Sequence, residues 1–569
     1  MQIIFSLNSI KVNYLLKRFN MQHAQITTEE FFTIHLAKGL ASHPAAWTQQ
    51  AETLLPYELL LTVSHLHKKF NQRRLDLLEA RKIRQDKYDS GALPAYIQEG
   101  SLPHHADWQV APIPQDLLKR RVEITGPINS KKMVINMLNP NSDGVRADMA
   151  MLDFEDSMKP AWKNILDGIE NVKQAIEGNL KYFDAKKDKL YQVNQNNHAK
   201  VMVRIRGLHL EESNIQYKGK NISGGLLDFV ATLFHTGKTQ LEKGQTPKFY
   251  VPKIEDYKEA QYWNDLFVET QKLLDIKPGS IRATFLIETL PAAFQMEEIL
   301  YELKDHIAGL NVGRWDKIFS DIKVLRNHDD KIMEDRSTID MSKIWMQNYA
   351  KRLIKICHSH GAMAIGGMSA FTPGQTFEQR LIQMQKVVQD KNNEATLGHD
   401  GCWVSHPYFI KPALEQFNQD NQLDILLEDF SKHPDLIPES DGLKTMAGLC
   451  KNIRVGIAYQ KGWNDDIGCV SWDGMMEDLA TLEISRAQTW QWMNHQVRLN
   501  DGTVVTKELI QQVFDQEVQK INKELQQMCF GEKLTKQIQL FEKAKMDAEK
   551  LFTQTQFADF LSLESDLAD

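Results

Sequence analysis

The feature that most constrains this chain is an alternation running from about Arg121 to about Asn418, in which short β-rich runs are each followed by a helical run, eight times over. The predicted strands are residues 122–125, 149–154, 200–205, 249–254, 283–287, 307–312, 362–365 and 401–405. Helical periodicity sits between them, for example at 164–177, 226–243, 259–274, 292–305, 343–358 and 377–391. Strand-then-helix units in series pack helices over a parallel sheet, and eight of them predict an α/β chain built on a (β/α)8 TIM barrel. A doubly wound sheet is the competing architecture. It usually carries a glycine-rich first turn, and neither G-x-G-x-x-G nor G-x-x-x-x-G-K-[ST] occurs.

The flanks read differently. From Thr28 to Gly91 the pattern is helical, with apolar residues at helical spacing between Leu54 and Lys87, broken by Ser90-Gly-Ala-Leu-Pro. Beyond Ser440 the chain is helical again, at 443–461, 475–495, 507–527 and 533–551. The expected division is a lead at 1–20, an N-terminal helical clasp at 21–115, the barrel at 116–420 and an all-helical C-terminal plug at 421–569. Met21 opens a polar, acidic stretch that reads as a more typical start than Met1. The first residues make a poor signal peptide, because the lysines follow the apolar patch.

Bulk properties narrow the function. A net charge of −7 without a long basic run argues against nucleic acid and against a membrane surface. Five scattered cysteines with no C-x-x-C speak against a disulfide framework or a zinc site and fit a reducing cytoplasm. No apolar run approaches the roughly 20 residues that span a bilayer.

In a TIM barrel, functional side chains project from the C-terminal ends of strands. Here those ends read Asp153-Phe-Glu155-Asp156-Ser157, Arg204-Ile-Arg206, Pro252-Lys253-Ile-Glu255, Ile287-Glu288-Thr289, Gly313-Arg314-Trp315-Asp316 and His406-Pro407. Strand ends are also where chains meet solvent. Glu288 and Arg204, however, sit in apolar sequence, where an unpaired charge is costly. Carboxylates on consecutive strands, Glu288 and Asp316, suit a hard divalent cation such as Mg²⁺, with Glu155 and Asp156 behind them to hold bound water. The alternative is a structural ion-pair network with Arg204, Arg206, Lys253 and Arg314. Asp478, taken alone, reads as an acid complementing a helix dipole.

Eight motifs in order resemble the malate synthase family, A type. They are Arg121-Val-Glu-Ile-Thr-Gly-Pro127, Asp153-Phe-Glu-Asp-Ser157, Val203-Arg-Ile-Arg-Gly-Leu-His-Leu210, Leu286-Ile-Glu-Thr-Leu-Pro-Ala292, Gly309-Leu-Asn-Val-Gly-Arg-Trp-Asp316, Gly366-Gly-Met-Ser-Ala370, Gly398-His-Asp-Gly-Cys-Trp403 and Met476-Glu-Asp-Leu-Ala-Thr-Leu-Glu-Ile-Ser-Arg486. The resemblance runs from about Leu54 to about Leu561; the 139–148 segment is longer than the usual family spacing. It implies a Mg²⁺-dependent condensation of acetyl-CoA with glyoxylate, followed by hydrolysis to malate and CoA. It also implies Glu288 and Asp316 as metal ligands, and backbone N–H groups of Gly313, Arg314 and Trp315 on the glyoxylate carboxylate. Arg204 would be the catalytic arginine, Asp478 the base, and Ser157 and Pro407 would line a CoA channel. Competing readings are a malyl-CoA or citryl-CoA lyase, a phosphoenolpyruvate-type barrel and a non-catalytic helical interaction protein.

Overall fold

The computed structural model describes residues 34–98, 100 and 107–561. The expected lead at 1–20 lies outside them. Eight parallel strands close into a barrel: β1 (Val122–Pro127), β2 (Met149–Asp153), β3 (Lys200–Arg204), β4 (Lys248–Val251), β5 (Arg282–Ile287), β6 (Ile307–Val312), β7 (Met363–Ser369) and β8 (Gly401–Val404). Each pairs with its sequence neighbours, and β8 closes on β1 through Trp403 opposite Glu123. All eight predicted strands are present, with ends shifted by a few residues.

Side-chain alternation fills the barrel from within. Met149 and Met151 of β2 point inward with Met202, Tyr250, Leu286, Ile365 and Trp403, while Ala150 and Leu152 face the surrounding helices. Toward the strand starts the interior turns polar. Arg120 pairs with Glu123 at 2.6 Å, and Glu123 accepts from Tyr250 Oη at 2.5 Å and from Trp403 Nε1 at 2.9 Å. The buried charge is thus paired and hydrogen-bonded, as burial requires.

The N-terminal region departs from the helical expectation. Ile34–Ala37 and Leu40–Ser42 are strands joined at Lys38-Gly39, and they extend a hairpin formed by Glu211–Tyr217 and Lys220–Ser223 into a four-stranded antiparallel sheet. Both turn residues have positive φ, 25° and 91°, the conformation of a two-residue hairpin turn. Pairing with a segment almost 180 residues away settles these residues, and helical periodicity carries no trace of that partner. The helix that was expected does form at Tyr57–Asp89. It lies across the barrel wall: Arg81 binds Glu259 at 2.6 Å and the Lys253 carbonyl at 2.7 Å, and Arg84 binds Glu255 at 2.8 Å.

The C-terminal helices Met446–Asn464, Leu479–Asn494, Lys507–Met528 and Gly531–Phe552 share their own hydrophobic cluster. The chain before the second of them, read as helix from Met475, is instead a hairpin of Val470–Trp472 and Met475–Glu477. Its edge docks on the end of β7, with the Met476 N–H donating to the Ala370 carbonyl at 2.7 Å. Met476 therefore belongs to this hairpin and not to the helix that begins at Leu479. That helix does not pack within the plug alone. Ile484 and Ala487 pack on Ile318 and Phe319 of the helix Arg314–Val324 that follows β6. Helix Leu479–Asn494 is buried almost all round, between plug and barrel, so no single amphipathic face marks its orientation. No helix among the described residues is long and apolar enough to cross a membrane.

Candidate active site

Barrel strands β2, β3, β5 and β6 end around one cavity, and the plug supplies its roof. Asp156, Ser157, Arg204, Glu288, Gly313, Arg314, Trp315 and Asp316 line it from the barrel. Cys469, Met476, Asp478, Ala480 and Thr481 line it from the C-terminal region. The junction is sealed by a backbone hydrogen bond from Leu479 N–H to the Asp156 carbonyl, 3.3 Å.

Register brings Arg204 to its anchor. Asp153 and Arg204 are opposite partners on β2 and β3. Nε and Nη2 of Arg204 fork onto the Asp153 carboxylate at 2.7 and 2.6 Å, leaving Nη1 facing Asp156 at 3.3 Å and Glu155 at 3.4 Å. Asp153 also accepts from the N–H groups of Glu155 and Ser157 and from Ser157 Oγ. Burial would raise its carboxyl, yet the Arg204 charge and these donors hold it below the ordinary range. Beneath Arg204 lies the Trp403 ring, 5.8 Å from the guanidinium carbon.

Lys253 organises the carboxylates. It is a non-glycine residue at φ 50°, a conformation that side chains rarely adopt. In it, the Lys253 N–H donates to Glu288 Oε1 at 2.7 Å. Its Nζ reaches Asp156 at 2.8 Å, Glu155 at 3.0 Å and Asp316 at 3.3 Å. Four buried carboxylates thus share one ammonium and one guanidinium arm. Burial first, and then the charge of Asp156, pushes Glu288 up and Asp316 well up; Lys253 opposes the shift. Glu155 is also pushed well up, by burial and by Asp156.

The fit to a divalent cation can be tested on these atoms. Glu288 Oε2 is buried with no hydrogen-bond partner among the described residues, and Asp316 Oδ1 has only the ion-pair contact with Lys253. Oxygens in that state need a cation or protons. Among the described residues no group of three or more His, Cys, Asp and Glu is arranged to hold a metal. Two carboxylates with room for water and substrate oxygens match the habit of Mg²⁺. Gly313 is required beside them: a Cβ there would lie 2.5 Å from Glu288 Cβ and 2.7 Å from its Oε2.

Gly313 caps helix Arg314–Val324, so the first N–H groups of that helix, which have no partner within it, open at the cavity. The Arg314 side chain turns aside to Asp390, at 2.7 and 3.0 Å, and to the Met368 carbonyl. Arg206, by contrast, is outside the site, held by Asp228 and Glu212.

Asp478 is the N-cap of helix Leu479–Asn494. Its Oδ1 accepts the Thr481 N–H, and Thr481 Oγ1 accepts its own N–H in return. The helix-terminus reading is therefore correct as far as it goes, but the same carboxyl faces the cavity. Burial, followed by the charge of Asp156, pushes it up to about 7 against the pull of Arg204. Glu477, beside it, pairs with Arg336 at 3.3 Å.

The remaining expected residues fall at the edges. The Ser157 hydroxyl is spent on Asp153 at 2.6 Å. Pro407 does not line this cavity, and its carbonyl takes the Asn141 amide at 3.0 Å. Residues that the sequence reading left out of the site are Asp153, Lys253, Trp403 and Cys469. Lys253 and Asp153 were visible as charges at strand ends; nothing in the sequence marked Trp403 as the platform under Arg204.

Comparison with known proteins bears on the same residues. Residues 45–101 match the family of the malate synthase N-terminal domain, 200–432 that of the malate synthase TIM barrel domain, and 443–566 that of the malate synthase C-terminal region. Malate synthase A of Escherichia coli (strain K12) is 41% identical over 522 residues, 90% of this chain and 95% of that protein. The malate synthase of Myxococcus xanthus (strain DK1622) is 43% identical over 520 residues, 90% and 93% of the two chains. A glyoxysomal malate synthase of Glycine max is 39% identical over 532 residues, 90% and 91%. With its closed barrel, its helical C-terminal region and this similarity over nine-tenths of its length, the chain belongs to the malate synthase family of enzymes.

Proposed function

We propose that the cavity between barrel and plug condenses acetyl-CoA with glyoxylate, with Glu288 and Asp316 as the residues that would hold a Mg²⁺ and with Arg204 and Asp478 as the catalytic residues. The observation that carries this reading is that Asp478, from the C-terminal region, and Glu288, Asp316 and Arg204, from the barrel, line a single cavity. On this reading the barrel at 116–420 holds the electrophile, and the plug at 421–569 brings the base.

Each residue then has one task. The N–H groups of Gly313, Arg314 and Trp315 hold the glyoxylate carboxylate at the helix N-terminus. Glu155 and Asp156 are the residues that would orient water bound to the cation. Mg²⁺, when bound, supplies Lewis-acid polarisation of the glyoxylate aldehyde. Asp478 takes a proton from the acetyl methyl group; its elevated proton affinity suits a base working near neutral pH. Nη1 of Arg204 meets the negative charge that develops on the thioester oxygen and then on the new alkoxide. The nucleophilic methylene carbon forms the C–C bond to the aldehyde carbon. Water then cleaves the thioester, giving malate and free CoA.

Free CoA as product separates this reading from a malyl-CoA or citryl-CoA lyase, which the similarity to malate synthases does not favour. The test is CoA release from acetyl-CoA plus glyoxylate, with and without Mg²⁺. Mg²⁺-dependent release is expected; accumulation of an acyl-CoA without free CoA would overturn the assignment. A cytoplasmic setting is in keeping with five cysteines that are all free.

A further inference from the structure

We propose that residues 557–561 form a strap that positions Asp478 over the barrel, with Phe560 as its wedge. The proposal rests on the reading of Asp478 as the base.

Two helices begin at the active cavity. Leu479–Asn494 starts at Asp478, and Arg314–Val324 carries Asp316 in its first turn. The two pack along their length, so the separation of base and metal carboxylates is set by how closely they lie. The C-terminal strap is built into that contact. Phe560 is 6% exposed and shares a cluster with Phe319 of one helix and Ile484 of the other. Its ring stacks on His209 with centroids 4.2 Å apart, meets Phe319 edge-on at 5.7 Å and lies under Lys323 Nζ at 4.3 Å.

The backbone fastens the other side. The Leu561 N–H donates to Glu483 Oε1 at 2.7 Å, and Glu483 is locked to Arg486 at 2.6 Å, one turn along the helix that Asp478 caps. Asp559 pairs with Arg326 at 3.0 Å, just past the end of the barrel helix. The five-residue strap therefore grips both helices with charged or hydrogen-bonded contacts and drives one aromatic ring between them.

Phe560 also closes the back of the site. It forms a wall of two small chambers, one bounded by Glu155, Asp156 and Lys253 and the other by Glu288, Asp316 and Lys253. Without the ring, the helix under Asp478 has space to move toward the barrel. A displacement on the order of 1 Å at a reacting group can cost about 100-fold in rate.

The test uses the full chain. Phe560→Ala, assayed well below its melting temperature, is expected to lose about 10- to 100-fold in kcat. Mg²⁺-dependent glyoxylate binding by calorimetry should stay within about twofold, since Phe560 stands behind Glu288 and Asp316 and does not line the cavity into which Gly313, Arg314 and Trp315 open. Phe560→Leu, which refills most of the volume, should restore kcat. Where Phe560→Ala does not fold, Phe557→Ala, which loosens the strap at Trp490, is measured instead, with a smaller fall in kcat at unchanged glyoxylate affinity. Wild-type kcat in the folded alanine variant overturns the proposal, as does parallel loss of glyoxylate binding, which would mean general damage to the barrel. Asp478→Asn measured alongside separates the two claims. If that variant is inert while the strap variant is normal, the strap fails and the base stands; if it turns over normally, the base reading fails by itself.

Discussion

Arg204→Lys separates charge from geometry at the centre of the site. Arginine here does two things at once: Nε and Nη2 clamp Asp153, and Nη1 faces the cavity carboxylates. Lysine has a single ammonium and cannot do both. The Asp153 carboxylate, with two oxygens beside the lost guanidinium, should draw that ammonium back and away from the substrate. Folding should survive, because Asp153 keeps a cation and three further donors from Glu155 and Ser157. A loss of about 1–3 kcal/mol in stability is expected from the imperfectly paired group. Catalysis should suffer more. Removing one donor aimed at developing negative charge costs about 2.7–4 kcal/mol, so kcat should fall at least about 100-fold. Steady-state kinetics at saturating Mg²⁺ and glyoxylate reads this directly, with glyoxylate affinity by calorimetry as the control. Wild-type kcat in a folded Arg204→Lys enzyme would refute the reasoning. Arg206 could not then inherit the role, since Asp228 and Glu212 hold it elsewhere.

Further outcomes follow from the same geometry. Glu288→Gln and Asp316→Asn should each weaken Mg²⁺ and glyoxylate binding together, because both oxygens serve one shell; unchanged Mg²⁺-dependent glyoxylate affinity in both variants would remove them as ligands. Activity should fall on acidification through about pH 7, where Asp478 takes up its proton and ceases to be a base; a kcat profile flat through that range would contradict it. The same carboxyl sets a stability trend. Its folded-state proton affinity is raised, so its contribution is fully present below the ordinary value of 3.8 and is lost as pH rises through about 7. Asp478→Asn should therefore gain in melting temperature over the wild type at pH 8 and not at pH 4, which thermal melts at the two pH values will show.

The barrel was legible because its signal is local and repeated. Each strand is a short apolar run, and charges at its end mark the rim on which the site is built. Glu288, Asp316 and Arg204 were readable for that reason: they interrupt apolar sequence where an unpaired charge could not be tolerated. Contacts between distant segments were not readable. Ile34–Ala37 and Leu40–Ser42 became strands by pairing with the edge of a hairpin beyond residue 210. The left-handed backbone of Lys253 serves Glu288 and is held by Arg81 from a helix about 170 residues earlier, so neither its conformation nor its purpose is written in Pro252-Lys253-Ile254. Asp478 shows the same limit from the other side. Its neighbours spell a helix N-cap, and it is one; only the packing of that helix on the barrel turns the cap toward the cavity.

The central claim, that the base belongs to the plug and the metal carboxylates to the barrel, is tested most directly by exchange of the acetyl-CoA methyl protons with deuterated solvent. A glyoxylate analogue that cannot react fills the glyoxylate site in the presence of Mg²⁺, and exchange is followed in wild type and in Asp478→Asn. Asparagine keeps the shape and the oxygen that caps Thr481 but cannot accept the proton. The account predicts that exchange is abolished in Asp478→Asn while Mg²⁺-dependent binding of the analogue is intact. Exchange at the wild-type rate in that variant would contradict it and leave Asp478 as a helix cap alone.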